Sequence, residues 1–112
     1  MKFIIAIIQP HRLDTVRGAL QSLGIEGMTV TEVRGYGRQR GQKEIYRGAE
    51  YAISFVPKLK IEIAVDDGRA DDVIAAIQEA ARTGKVGDGK VFVLDLQAAL
   101  RVRTGERDGD AL

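Results

Sequence analysis

Phe3-Ile4-Ile5-Ala6-Ile7-Ile8 is an unbroken, largely β-branched apolar run with no polar residue to mark a wet side, the pattern of a central strand covered on both faces. Gln9-Pro10 ends it, and Pro10 suits the first turn of a helix, where its missing N–H is no loss. Leu13, Val16, Leu20 and Leu23 follow at helical spacing, and Gly24 is a natural stop. Met28 to Arg34, rich in Thr and Val, reads as a second strand. Residues 56 to 65 resume strand character, with Ile61, Ile63 and Val65 on one face and Lys60 and Glu62 on the other. Ala70, Val73, Ile74, Ile77, Ala80 and Ala81 mark a second amphipathic helix, and Val91 to about Leu96 a last strand.

The order is therefore βαβ twice over. Two such halves side by side predict an α+β, ferredoxin-like domain, a four-stranded antiparallel sheet backed by two helices. At 112 residues the chain is one domain over 1–112, small enough that association into an oligomer would help bury apolar surface. Seventeen basic against sixteen acidic residues leave almost no net field, which argues against coating nucleic acid or an anionic membrane. The absence of cysteine excludes disulfides and thiolate metal sites and agrees with a cytosolic protein. The apolar start is shorter than a secretory core, and no stretch approaches the roughly 20 apolar residues of a membrane span, so a soluble, unprocessed chain is expected.

Two stretches fall outside this repeating plan. From Gly35 to about Phe55 periodicity disappears, while Gly35, Gly37, Gly41 and Gly48 alternate with Arg38, Arg40, Lys43 and Arg47. A connection of this length, 36–55, is expected to be functional or mobile. Within it, Tyr46-Arg47-Gly48-Ala49-Glu50-Tyr51 is a tyrosine-ended polar segment that no core would want. The second stretch, 83–90, packs three glycines and two lysines into eight residues, a composition suited to wrapping backbone N–H groups and positive charge around phosphates.

Gly84 to Lys90 meets the G-x-x-x-x-G-K spacing of a P-loop, but Val91 stands where Ser or Thr should hold magnesium. The loop also leaves a helix and enters a strand, the reverse of that motif, which excludes a P-loop NTPase. What remains open is an anion site or a plain helix-to-strand turn. Arg34-Gly35-Tyr36-Gly37 opens like an RNA-binding motif, yet Arg38 replaces the next stacking aromatic, and aromatics are scarce. His11 is the only histidine and reads as a helix-surface residue. Lys58, Lys60 and Glu62 alternate along a strand and fit a solvated face as well as a site. Arg101 and Arg103, two apart in an extended segment, point to one side and suit either a phosphate or carboxylate clamp or plain solvation.

Taken together, these residues resemble the PII signal-transduction proteins of nitrogen metabolism along essentially the whole chain. Tyr46 to Tyr51 is similar to that family's signature around its modified tyrosine, and Thr83 to Val93 to its second signature. Gly35-Tyr36-Gly37-Arg38-Gln39 and Arg101-Val102-Arg103-Thr104-Gly105-Glu106 add two further blocks. The resemblance implies a ferredoxin-like homotrimer with nucleotide sites between subunits. ATP or ADP phosphates would lie against Gly87, Asp88, Gly89 and Lys90, with Gly37 and Arg38 assisting. Thr29, Glu62 and Ala64 would stand near adenine and ribose, and Arg101 and Arg103 of a neighbouring subunit would complete the charge balance.

By the same resemblance Gln39 would give an oxygen to a magnesium ion shared by ATP and 2-oxoglutarate. Lys58 would pair with the distal carboxylate of 2-oxoglutarate, with Gly87 alongside. Tyr51 would be the site of a nucleotidyl modification, commonly uridylylation, and Ala49 has no hydroxyl for the serine phosphorylation of some relatives. Arg47 would be the residue that plugs an ammonium channel. The expected partners are an ammonium transporter, a nucleotidyl-modifying enzyme, and nitrogen-regulatory kinases or other nitrogen-metabolism enzymes. Nucleic acid is not expected as a partner, and the expected location is the cytoplasm, with reversible recruitment to the membrane.

The 98–112 segment is the C-terminal block of this plan. Many relatives carry Lys where this chain has Gln9 and Phe where it has His11, departures that bear on 2-oxoglutarate affinity more than on nucleotide binding. The implied function is a non-catalytic regulator acting through the 36–55 loop. Two other readings compete with it: a slow ATPase using the same cleft, for which Asp88 is the one available general base, and an RNA-binding ferredoxin-like module.

Overall fold

The computed structural model describes residues 1–36, 44–46, 49–51 and 55–112, with 44–46 and 49–51 described at the level of backbone pairing. β1 runs over Lys2–Ile8 and passes through a short 3-10 turn, Pro10–Arg12, into α1, Leu13–Ser22. Gly24 ends the helix with φ of +77°, a left-handed conformation that costs glycine little. Its N–H reaches the Gln21 carbonyl at 2.9 Å, and the Ile25 N–H reaches the Leu20 carbonyl at 3.0 Å. That pair of bonds satisfies two terminal carbonyls and folds Ile25 back onto the core beside Leu20.

β2, Thr29–Gly35, comes next. β3, Glu44–Tyr46, and β4, Ala49–Tyr51, pair with each other, and β5 follows over Val56–Val65. Another short turn, Asp67–Arg69, enters α2, Ala70–Ala81, and β6 closes the pattern over Gly89–Asp95. The sheet order is β2-β5-β1-β6 with every neighbour antiparallel, the double βαβ topology expected from the sequence.

Both helices lie on one side of the sheet. Val16 and Leu20 from α1, and Val73 and Ile77 from α2, meet Ile4, Ala6, Ile8, Ile61 and Ile63 from the central strands in one core. The other face of β1 differs from expectation: Phe3, Ile5 and Ile7 are only half-buried. The reason is topological, since two helices that follow β1 and β5 can cover one layer and no described element of this chain covers the second. An apolar run thus marks β1 as central but not as sheathed on both sides.

Three other differences bear on the site. The 36–55 segment contains the β3/β4 pairing, with Tyr46 opposite Ala49, although strands this short leave no alternation to read. Its ends are adjacent: Gly35 pairs with Val56, and the Tyr36 and Phe55 rings meet at 5.7 Å between centroids. β6 begins at Gly89 rather than Val91, so Gly89 and Lys90 belong to the strand and the free loop spans 82–88. Finally, the segment after β6 does not continue extended. Leu100 bridges to Arg107, residues 102–104 turn, and Arg101 pairs with Glu106 at 3.2 Å, so Arg101 and Arg103 do not alternate along one strand.

Candidate functional site

The glycine loop between α2 and β6 is closed by its own carboxylate. Asp88 accepts hydrogen bonds from the N–H groups of Thr83 and Gly84, both at 2.8 Å, and from the Thr83 hydroxyl. The Thr83 hydroxyl bond chiefly holds the Asp88 carboxyl below its ordinary range; desolvation opposes it, and the two amide bonds and the Lys58 charge add to the lowering. A group committed to three donors is a staple rather than a general base, which removes the one candidate base for ATP hydrolysis in this loop.

A second set of bonds fixes the far side of the loop. The Gly87 carbonyl accepts from Gln9 Nε2 at 2.9 Å and from Lys58 Nζ. Gly87 itself has φ of +101°, which places the peptide in an orientation that a side chain would strain. Val86 and Gly87 form a hydrogen-bonded turn, and none of the hydrogen bonds among the described residues uses the N–H groups of Val86 or Gly87. Two successive amides without an acceptor, between the exposed Lys85 and Lys90, are suited to an anion.

Strand β6 approaches β1 closely at the end of this loop. Gly89 pairs with Ile8 at φ of +112°, and a Cβ on Gly89 would stand 1.7 Å from the Ile7 carbonyl oxygen. Only glycine allows the loop to join the strand there.

Lys58 is the one buried cation among the described residues, 6% exposed. Its stem runs over Gly35, where a Cβ would meet Lys58 Cγ at 3.2 Å, and its head ends at the Gly87 carbonyl. Burial pushes the Lys58 pKa down, and the Asp88 charge partly opposes this. An ammonium with a neutral carbonyl for a partner is suited to receive a carboxylate, because an added negative charge would restore part of the lost solvation.

A cavity of about 710 Å³ joins these parts, lined among others by Ile7, Gly35, Tyr36, Lys58, Gly87 and Lys90. The structure thus brings together Lys58, Gly87, Gly89 and Lys90 of the residues named from sequence. Thr29 pairs with Glu62, Glu62 with Ile5, and Ala64 with Phe3, so these three share the helix-free face with Lys90, which lies opposite Ile7. They do not line the same cavity. Arg101 instead borders a separate hollow of about 510 Å³ with Ala64, Gly27 and Arg69, and Arg103 is exposed. Tyr51 is the last residue of β4, opposite Glu44. Gly37, Arg38, Gln39 and Arg47 lie outside the described residues.

The family profile described as "Nitrogen regulatory protein P-II" matches residues 1–106. The chain belongs to that P-II family. It is 59% identical over 112 residues to the nitrogen regulatory protein P-II of Rhizobium etli, and 58% identical to that of Pasteurella multocida, with all of each chain covered. It is also 55% identical to the nitrogen regulatory protein GlnK of Escherichia coli K12, again over the full length of both. Within this P-II fold, sequence reading gave no loop-holding role to Gln9 or to Arg12. Arg12 donates through Nε at 3.0 Å and Nη2 at 2.7 Å to the Ala80 carbonyl, at the end of the helix from which the loop departs. The topology holds the available signal: β1 and β6 are antiparallel neighbours, so residues just after β1 lie beside those just before β6. No helix among the described residues is long and apolar enough to cross a membrane.

Proposed function

We propose that this chain is a non-catalytic regulator of nitrogen assimilation that binds ATP or ADP against the glycine loop and 2-oxoglutarate beside Lys58. The observation that carries the reading is the pair of unused N–H groups at Val86 and Gly87 next to Lys90. Phosphate oxygens satisfy such amides, and Lys90 supplies charge at the same edge. The Lys58 ammonium takes the distal carboxylate, and the ligand state reaches target proteins through the 36–55 segment, whose two ends meet at the cavity wall.

Self-association as a homotrimer follows the same reasoning. Phe92 and Leu94 are 49% and 48% exposed on the edge strand β6, apolar surface that neighbouring copies would cover. In that assembly Arg101 and Arg103 of a neighbouring copy add charge to the nucleotide cleft, with Thr29, Glu62 and Ala64 near the adenine and ribose. Magnesium fits this donor set only as an ion held largely by ligand oxygens with Gln39. The described residues gather no group of three or more His, Cys, Asp or Glu side chains for it. When bound, the ion neutralises phosphate charge.

Tyr51 is the position for a nucleotidyl group, and Arg47 for contact with an ammonium transporter at the membrane; kinases and other nitrogen-metabolism enzymes are the remaining targets, met in the cytoplasm. Titration calorimetry with ATP, magnesium and 2-oxoglutarate tests the reading. Nucleotide binding that Lys90→Ala weakens, and oxo-acid binding that requires ATP, are the expected results. Tight oxo-acid binding indifferent to ATP would contradict it.

A further inference from the structure

The Gly87 carbonyl has two donors where one would suffice, and they differ in kind. Lys58 is a buried charge, which a ligand carboxylate attracts more strongly than a neutral carbonyl does. Gln9 is a neutral amide with no such incentive to leave. The Gly87 carbonyl belongs to the peptide that closes the 86–87 turn, so whatever holds it also fixes that turn and the two unused amides on it, at Val86 and Gly87. Releasing the carbonyl would let this peptide rotate, because glycine at 87 tolerates several orientations.

We propose that Gln9 is a positioning residue that keeps the 86–87 turn and its two amides aimed at the phosphate site when Lys58 turns to a ligand carboxylate. The inference rests on the reading that this loop binds nucleotide. Arg12 supports the same segment from the other end: its two bonds to the Ala80 carbonyl hold the exit of α2, so residues 9–12 fix the loop before and after its turn. Gln9 follows the end of β1 directly, and β1 is a central strand paired on both edges, a rigid base for such a contact. Gln9 therefore couples the two ligands without touching either one.

Gln9→Leu removes the donor at similar bulk, and Gln9→Lys restores a donor at the same place. ATP affinity is measured by calorimetry with magnesium, without and with saturating 2-oxoglutarate, and the fold is checked by hydrogen exchange of the β1 and β5 amides. Without the oxo acid Gln9→Leu lowers ATP affinity about twofold to threefold, because Lys58 still holds the carbonyl. With it the loss grows to about tenfold, and Gln9→Lys, whose charge the carboxylate attracts as it does Lys58, recovers the small loss seen without the oxo acid but little of this larger one.

Equal losses with and without 2-oxoglutarate would overturn the proposal, as would an unchanged affinity in Gln9→Leu. Failure of the unsubstituted protein to bind ATP at all would instead overturn the reading of the nucleotide site, and this inference with it.

Discussion

On the helix side of the sheet Ile4, Ala6, Ile61 and Ile63 are at most 2% exposed, whereas Phe3, Ile5, Lys60 and Glu62, on the same strands, remain half-buried on the other side. Side chains alternate along each strand, so one backbone serves two surfaces. The first is closed by α1 and α2 and holds the fold. The second carries Lys58, Glu62 and Lys90 and leaves Phe92 and Leu94 uncovered. Residues on the first face answer to packing alone, and residues on the second can be set by ligands and neighbouring copies.

The severest challenge to this division is the joint where both faces meet the loop. Gly89→Ala forces a Cβ to within 1.7 Å of the Ile7 carbonyl oxygen. The expected loss in urea unfolding is more than about 4 kcal/mol, or failure to fold. A loss below about 1 kcal/mol would show that the β1/β6 joint yields easily and that glycine there is not a steric requirement. Ile77→Ala, on the closed face, should cost about 2–5 kcal/mol in the same assay by leaving a cavity between α2 and β1.

Leu94→Asp puts a charge on the open face and tests the contrast from the other side. Secondary structure should survive, and the substitution should lower the mass seen in sedimentation velocity by separating protomers at micromolar concentration. An unchanged mass would mean that the open face does not carry self-association.

The smallest expected effect is a pH dependence at the loop. Asp88 has a lowered folded-state pKa, so its contribution is complete above the ordinary carboxylate value of about 3.9 and disappears as pH falls through the lower folded value. Hydrogen exchange at the Thr83 and Gly84 amides should accelerate in that acid window while β5 amides stay protected. Asp88→Asn should reproduce part of this at neutral pH, and slow exchange in that variant would deny the carboxylate its role as staple.

Periodicity made the closed face legible: α1, α2 and β5 follow from Val16 and Leu20, from Val73 and Ile77, and from Ile61, Ile63 and Val65. Gly24 marked the helix stop for the physical reason seen in its φ angle. The open face was less legible, because an apolar run such as Phe3–Ile8 is the same whether its second side meets a helix, another copy or water. The glycine loop announced itself by composition, but β6 starts early because backbone pairing at Gly89 leaves no side-chain trace. Thr29, Glu62 and Ala64 came from family resemblance, and their common face is explained only by register. Gln9 and Arg12 act on main-chain carbonyls, which every residue possesses, so no pattern of residue types could identify their targets.

The pairing of Ile8 with Gly89 has a temporal consequence. Residues 78 positions apart, Gln9 and Gly87, must meet before the proposed anion cradle has its shape, and β6 follows the other three strands of the sheet in synthesis. Nascent chains lacking it would hold both helices and three strands of the sheet yet offer no finished cradle. On the proposed function, ligand capture would thereby wait until β6 has been made.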